Sequence, residues 1–207
     1  MNASAIVIIP ARDEAVTIAE IVRRVKALGL PLLVVDDASG DGTADLAREA
    51  GARVIRLPHW LGNMRAIRHG LRHALNDSYE YFITMDADGQ HNPEDIPVLL
   101  EAAARGNGII LASCPARVSL LRRTAWRWFS FLSGLGTRDM TSGFKVYTRG
   151  AAALLLESEK LHAHYQDIPV LLLLKSRGLK VTEIPVAMRP RISGISRVFT
   201  SWWVVFR

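Results

Sequence analysis

Tyr81-Phe82-Ile83-Thr84-Met85-Asp86-Ala87-Asp88-Gly89-Gln90-His91 is an apolar run that stops at two carboxylates spaced one residue apart. Tyr81, Phe82 and Ile83 suit a pleated, packed surface, so the run reads as a buried strand. Asp86 and Asp88 then stand at its carboxyl end, where open α/β sheets hold their ligands. Strand side chains at i and i+2 share a face, so the two acids are expected to aim at one point just beyond the sheet. Two carboxylates at one point repel unless a cation lies between them. A hard divalent ion such as Mg2+ or Mn2+, shared with phosphate oxygens, answers that need.

Working outward, the same grammar repeats on both sides. Ala5-Ile6-Val7-Ile8-Ile9 is a β-branched run ended by Pro10, and Ile18, Ile21, Val22 and Val25 follow at helical spacing up to Gly29. Leu32-Leu33-Val34-Val35 is a second strand that ends in Asp36-Asp37, before the polar turn Ala38-Ser39-Gly40-Asp41-Gly42. Thr43 is expected to cap the helix that runs to residue 50. Further strands are expected at 53–57, 108–112 and 181–186, and further helices at 94–105 and 168–175. Another helix carries Ile67, Leu71 and Leu75. Pro93 suits a first helical turn. Strand and helix alternate across short loops, the pattern of an α/β chain whose mostly parallel sheet is flanked by helices on both faces.

Composition narrows the function classes. The chain has 207 residues, 49% of them apolar, enough for one domain with a substantial core. Its net charge of +6 suits anionic partners. No nucleic-acid motif of defined spacing is present, so phosphorylated small molecules and anionic membrane are favoured over nucleic acid. The single Cys114 excludes an internal disulfide and fits a reducing compartment. The first residues lack a basic secretion signal, and no apolar run reaches the roughly 18–20 residues that span a bilayer.

Acids cluster at three strand ends: Asp13/Glu14, Asp36/Asp37 and Asp86/Asp88. A lone acid after a strand is usually a turn former or a helix cap, and Asp41 and Asp45 read that way. Asp86-Ala87-Asp88 supplies two acids, followed by the metal-capable Gln90 and His91. Arg65, Arg68, Arg189, Arg191 and Arg197 flank loops or helix starts, and guanidinium groups recognise phosphate with two parallel hydrogen bonds. Metal-holding acids with arginines around one cleft suit a diphosphate. Residues 117–135 mix arginine and aromatic residues densely, as does the tail with Trp202, Trp203 and Phe206. Such segments suit a membrane interface or an amphipathic helix with an aromatic core side. His59, His69, His73, His162 and His164 show no metal-like spacing.

Taken in order and at this spacing, the motifs resemble family 2 glycosyltransferases of the GT-A fold over nearly the whole chain. The residues that carry the resemblance are Ile9-Pro10-Ala11-Arg12-Asp13-Glu14, Val35-Asp36-Asp37-Ala38-Ser39-Gly40-Asp41-Gly42-Thr43, Met85 to His91, Thr141-Ser142-Gly143-Phe144-Lys145-Val146-Tyr147, Glu183-Ile184-Pro185-Val186 and Arg189 to Arg197. Within that family the chain looks most like dolichyl- or polyprenyl-phosphate sugar transferases.

The resemblance implies a GT-A domain over 1–197 and an aromatic tail over 198–207. It implies an inverting enzyme that takes a sugar from a nucleotide-diphosphate sugar. Pro10, Arg12, Asp13, Glu14 and Asp37 would line the nucleotide site, with Arg65 nearby. Asp86, Asp88 and Gln90 would hold Mg2+ or Mn2+. Arg189, Arg191, Ser196 and Arg197 would close over the diphosphate. Asp167 would face the acceptor, a lipid phosphate or a glycan, and Asp167 and Asp88 would be the catalytic acids. The implied setting is the cytoplasm at the inner face of the cytoplasmic membrane, with peripheral membrane contact or a membrane partner. Arg12 stands where the family usually has an aromatic residue.

Three rival readings are distinguishable. Asp86-Ala87-Asp88-Gly89 superficially matches a metal-dependent phosphatase motif, but that motif expects Thr or Val where Gln90 stands. A nucleotidyltransferase needs a Gly-rich basic loop where Pro10-Ala11-Arg12-Asp13-Glu14 stands. A catalytically silent nucleotide-sugar-binding subunit would bind donor without turnover; Arg12 and Met64-Arg65 are the departures that favour it.

Overall fold

The computed structural model describes residues 4–106, 108–114, 137, 142–157 and 168–190. Among the described residues, seven strands form one sheet in the order β3-β2-β1-β4-β6-β5-β7. The strands are β1 (Ala5–Ala11), β2 (Leu32–Asp36), β3 (Arg53–Arg56), β4 (Tyr81–Thr84), β5 (Gly108–Ser113), β6 (Lys145–Thr148) and β7 (Lys180–Pro185). The helices are α1 (Ile18–Ala27), α2 (Thr43–Glu49), α3 (Asn63–Ala74), α4 (Ile96–Ala104), α5 (Arg149–Glu157) and α6 (Ile168–Ser176). A single 3₁₀ turn, Pro93–Asp95, leads into α4, and Pro93 occupies its first turn as expected.

Every residue of β1, β2 and β5 is buried because helices cover both faces of the sheet. Alternation along β1 divides the core. Ile6 and Ile8 pack with Leu71 of α3, Leu155 of α5 and Leu171 of α6, whereas Val7 and Ile9 pack with Ile21 and Val25 of α1 and Leu99 of α4. Gly70 lets α3 lie close to β1: a Cβ there would meet Ile8 Cγ2 at 2.5 Å.

Pro10 does not end β1, which runs on to Ala11. The reason is the direction of its missing donor. The Ile8 carbonyl accepts the Met85 N–H on the β4 side, and the Ala11 carbonyl accepts the Asp37 N–H on the β2 side. Pro10, two residues from Ile8, therefore faces β4 beyond the last pair of that ladder, Ile8 with Thr84.

The sheet is mostly parallel, as expected: β1, β2, β3 and β4 run parallel, as do β5 and β7, while β6 lies antiparallel between β4 and β5. Two further readings are corrected, and one helix was missed. β4 stops at Thr84, so strand alternation does not orient Asp86 and Asp88; loop hydrogen bonds do. Thr43 is not the cap of α2. Gly42 holds that place with φ 85°, a left-handed conformation that suits glycine, and the Thr43 hydroxyl is used elsewhere. Helix α5 was not foreseen, because it begins at Arg149-Gly150 directly after β6 with no capping signal. The basic aromatic segment at 117–135 and the tail lie outside the described residues.

Candidate active site

The loops after β1, β2 and β4 and the exit of β7 meet at the carboxyl edge of the sheet. The first two are laced together. The Asp13 N–H donates to Ser39 Oγ at 2.9 Å, and the Gly40 N–H donates to Asp13 Oδ1 at 2.9 Å. The Glu14 N–H donates to Thr43 Oγ1 at 2.8 Å. These exchanges hold Asp13 at φ 50°, a left-handed conformation that Asp tolerates better than most residues. Asp41 serves both loops, accepting from the Ala15 N–H through Oδ2 and from the Thr43 N–H through Oδ1, each at 3.0 Å. Burial opposes its charge, but the hydrogen bonds from Thr43 and Ala15 outweigh that and hold its carboxyl below the ordinary value. Its reading as a turn former was correct.

The two acids at the end of β2 do different things. Asp36 is fully buried, and its Oδ2 lies 3.3 Å from Arg56 Nε, the neighbour it faces across β2 and β3. Asp37 turns its carboxylate onto backbone. Oδ1 accepts the Leu61 N–H at 2.7 Å and Oδ2 accepts the Gly62 N–H at 2.8 Å. The loop after β3 is thus pinned from both ends, since the Leu57 N–H also donates to the Asp36 carbonyl at 2.9 Å. That loop carries Trp60, and Arg12 lies over its indole with the guanidinium carbon 5.1 Å from the ring centroid.

The loop after β4 is ordered residue by residue. Thr17 Oγ1 donates to the Ala87 carbonyl at 2.6 Å, fixing the residue between the two acids to the start of α1. The Gln90 N–H donates to Asp88 Oδ1 at 3.0 Å, a tight turn in which Gly89 supplies φ 77°. The Asp86 N–H donates to Nδ1 of the buried His91 at 3.3 Å, and the His91 ring stacks on Phe144 with centroids 5.2 Å apart. An accepting Nδ1 places the neutral ring's proton on Nε2, which lies 4.0 Å from Asp86 Oδ2. Gly143 approaches from the start of β6, its carbonyl accepting from Thr84 Oγ1 at 3.0 Å. A Cβ at Gly143 would come within 2.3 Å of Asp86 Oδ2, so the glycine leaves the space that this carboxylate uses.

The exit of β7 joins the same loop. The Arg189 N–H donates to the Gln90 carbonyl at 2.9 Å, and Asn92 Nδ2 reaches the Ala187 carbonyl at 3.5 Å. Arg24 of α1 grips the adjacent Glu94 with two hydrogen bonds, Nε to Oε1 at 3.0 Å. That hydrogen bond holds the Glu94 carboxyl below its ordinary value.

Of the residues singled out in the sequence, Pro10, Arg12, Asp13, Glu14, Asp37, Asp86, Asp88, Gln90 and Arg189 therefore border one edge. Arg65 is exposed on α3, beside the buried Met64. Arg68 ties α3 to α5 through the Leu156 carbonyl at 3.1 Å. Asp167, Arg191, Ser196 and Arg197 lie outside the described residues. Sequence reasoning missed Trp60, Ser39, Thr17 and the service of Gly143. The only signal for Trp60 was a large aromatic in the short polar loop after Pro58.

Among the described residues, no helix is long and apolar enough to cross a membrane. No group of three or more His, Cys, Asp or Glu side chains there could hold a metal ion alone.

Comparisons with known proteins speak to the family and the fold. The model of the family described as Glycosyl transferase family 2 matches residues 6–160. The chain is 30% identical over 212 residues to the polyprenol monophosphomannose synthase of Mycolicibacterium smegmatis, covering 93% of this chain and 80% of that protein. It is 31% identical over 204 residues to the undecaprenyl-phosphate 4-deoxy-4-formamido-L-arabinose transferase of Edwardsiella ictaluri, covering 92% of this chain but 62% of that longer protein. Its fold is similar to that of glucosyl-3-phosphoglycerate synthase from Mycobacterium tuberculosis, solved with Mn2+, UDP and phosphoglyceric acid. The TM-score is 0.70 at 20% identity, over 94% of this chain and 72% of that one.

Proposed function

The chain belongs to glycosyl transferase family 2, and from that membership we propose that it moves a sugar from a nucleotide-diphosphate sugar to a polyprenyl phosphate, with inversion at the anomeric carbon. The observation that carries the reading is the join between the Asp86-Ala87-Asp88 loop and the basic β7 exit through Gln90 and Arg189. That join brings the backbone of Arg189, whose guanidinium suits a diphosphate, against the loop whose carboxylates suit a cation. The names of the mycobacterial and Edwardsiella relatives support a polyprenyl-phosphate acceptor.

The donor set fits a hard divalent ion. Asp86 and Asp88 offer carboxylate oxygens, and Gly143 keeps the space at Asp86 open. Mg2+ is commonly held by one or two carboxylates together with substrate phosphates rather than by a cage of protein ligands. Asp86 and Asp88 are therefore the residues that would hold Mg2+ or Mn2+. Such an ion would neutralise charge that builds on the leaving diphosphate. Gln90 spends its main chain on Asp88 and Arg189, and its side chain remains available to the same ion. His91, whose Nδ1 accepts a backbone N–H, is better suited to position Asp86 than to ligate.

The rest of the chemistry belongs to the chain. Arg189, followed in sequence by Arg191 and Arg197, supplies positive charge where the diphosphate departs. The β1 and β2 loops hold the nucleoside end, so the anomeric carbon lies between the two. A phosphate acceptor is already anionic near neutral pH and attacks as the bond to the diphosphate breaks; no base is required. Were the acceptor a hydroxyl, Asp167 is the proposed base. We place the enzyme at the inner face of the cytoplasmic membrane, where a lipid-phosphate acceptor and a soluble donor meet.

The test incubates the protein with UDP- and GDP-sugars, Mn2+ and a short polyprenyl phosphate, and follows transfer to lipid together with nucleotide release. Asp88→Ala is expected to abolish both while the protein stays folded. Full activity in that variant would sink the assignment. Donor binding without turnover across all acceptors would favour a silent binding subunit instead.

A further inference from the structure

We propose that Trp60, braced by Arg12, is the shelf on which the nucleobase of the donor stacks; the proposal rests on the nucleotide-donor reading above. Trp60 is 66% exposed, an unusual position for the largest side chain in the repertoire. Its place counts for more than its exposure: the loop after β3 lies at the carboxyl edge of the sheet, where open α/β sheets hold their ligands.

The ring is not at the tip of a loose loop. Three residues before it, the Leu57 N–H is held by the Asp36 carbonyl. Directly after it, the Leu61 and Gly62 N–H groups are held by the Asp37 carboxylate. Its other support is Arg12, the residue that follows β1, whose guanidinium carbon lies 5.1 Å from the ring centroid. Arg12 is steadied in turn by Asp13, with Arg12 Nε 3.6 Å from Asp13 Oδ2. Asp13 is itself tied to the Gly40 and Ser39 turn. The ends of β1, β2 and β3 thus cooperate to set one indole at the carboxyl edge of the sheet.

The base is the part of a nucleotide-diphosphate sugar that best matches this surface. The sugar and the ribose present hydroxyls, and the diphosphate presents charge. The base presents a flat π face, which stacks on an aromatic ring and loses contact with water in doing so. Arg12 lies over one face of the indole, so the base takes the other. Because every base has a π face, the stack contributes affinity without choosing among bases. The choice then rests with polar groups at the rim, such as those of the Asp13 and Glu14 loop that follows Arg12.

The experiment measures binding by calorimetry on the full chain in the presence of Mn2+. Wild type, Trp60→Phe and Trp60→Leu are titrated with UDP, GDP and inorganic pyrophosphate, which lacks a base. Trp60→Leu is expected to weaken both nucleotides by about tenfold or more, the lower part of the range for one base stacked on one aromatic ring. Trp60→Phe is expected to retain most of the affinity, and pyrophosphate is expected to bind all three proteins equally. Unchanged nucleotide affinity in Trp60→Leu would overturn the shelf and leave the donor reading intact. An equal loss for pyrophosphate would overturn it as well, since the substitution would then have disturbed the site as a whole. Wild-type protein that binds no nucleoside diphosphate would overturn the donor reading and the shelf with it. A parallel titration with anionic vesicles separates the other use of an exposed tryptophan. Loss of vesicle binding in Trp60→Leu with nucleotide binding intact would assign the ring to the membrane and overturn the proposal.

Discussion

The backbone N–H of Asp86 donates to Nδ1 of His91 at 3.3 Å, inside a pocket closed by the ring of Phe144. A part-buried backbone donor turned against a buried ring needs an acceptor, and here a side chain five residues on provides it. His91→Phe keeps a flat ring against Phe144 and removes the acceptor. Leaving that N–H unpaired is expected to cost ~1–3 kcal/mol, visible as a lower urea midpoint. Affinity for Mn2+, read by EPR of the free ion, is expected to fall ~10–100-fold, as when a group that orients a metal ligand is lost. His91→Asn, which can present an oxygen to the same N–H, is expected to recover part of both. Mn2+ affinity equal to wild type in His91→Phe would show that the Asp86 carboxylate does not depend on this bond.

Gly143 brings the lead-in to β6 against the Asp86 carboxylate. In Gly143→Ala the new Cβ would stand 2.3–2.6 Å from the Asp86 carboxyl group. A short side chain at a loop can swing away, so the fold is expected to survive with little change in Tm. The carboxylate cannot swing away and keep its aim. Turnover is expected to fall by roughly 100-fold, the scale of a displacement of about an ångström at a reacting centre. Steady-state kinetics across a Mn2+ series decides the matter; wild-type turnover would mean that Asp86 is not used where it stands.

Asp37 offers both carboxylate oxygens to backbone N–H groups of the Trp60 loop. Asp37→Asn replaces one acceptor with an NH2 that faces another N–H. The expected cost is ~1–3 kcal/mol in urea unfolding. Limited proteolysis is expected to cut between residues 57 and 62 faster than in wild type. A cleavage pattern identical to wild type would show that the loop is held by other means.

The pH dependence of stability follows from Asp41. Its carboxyl is held below the ordinary value in the folded protein by hydrogen bonds from Thr43 and Ala15 that exceed the opposing effect of burial. A depressed folded value means that the contribution is present above the ordinary carboxylate range and is lost as pH falls through that range toward the folded value. Tm of wild type is therefore expected to exceed that of Asp41→Asn at neutral pH, with the two curves converging below about pH 4. Curves that stay parallel down to pH 3 would contradict the assignment.

Much of the architecture could be read directly because burial writes itself into composition. Strands covered on both faces must be apolar throughout, so β1, β2 and β5 were visible as runs, and the helix α1 as a repeat of Ile18, Ile21, Val22 and Val25. A short strand after the turn at 141–145 was expected, but its antiparallel direction was not, since four residues carry no signal of direction. Pro10 looked like a strand end, because its missing N–H is harmless only where the neighbouring ladder has already stopped. That fact depends on β4, which lies more than seventy residues away.

The opening stretch shows the same division. Asp86 and Asp88 read as a cation-seeking pair from their types and spacing alone, and that reading stands as a proposal. Which oxygens face which donors was not recoverable from spacing, since the strand stops at Thr84 and the loop follows Thr17, His91 and Gly143 instead of a pleat. The pairing of Arg12 with Trp60 lay further beyond reach. The sequence by itself determined the chemistry at the edge: acids after strands, an arginine after β1, a glycine before β6. Tertiary structure alone decided which of those acids hold distant loops, as Asp37 and Asp41 do, because hydrogen bonds between segments far apart in the chain arise only when the sheet brings its carboxyl ends together.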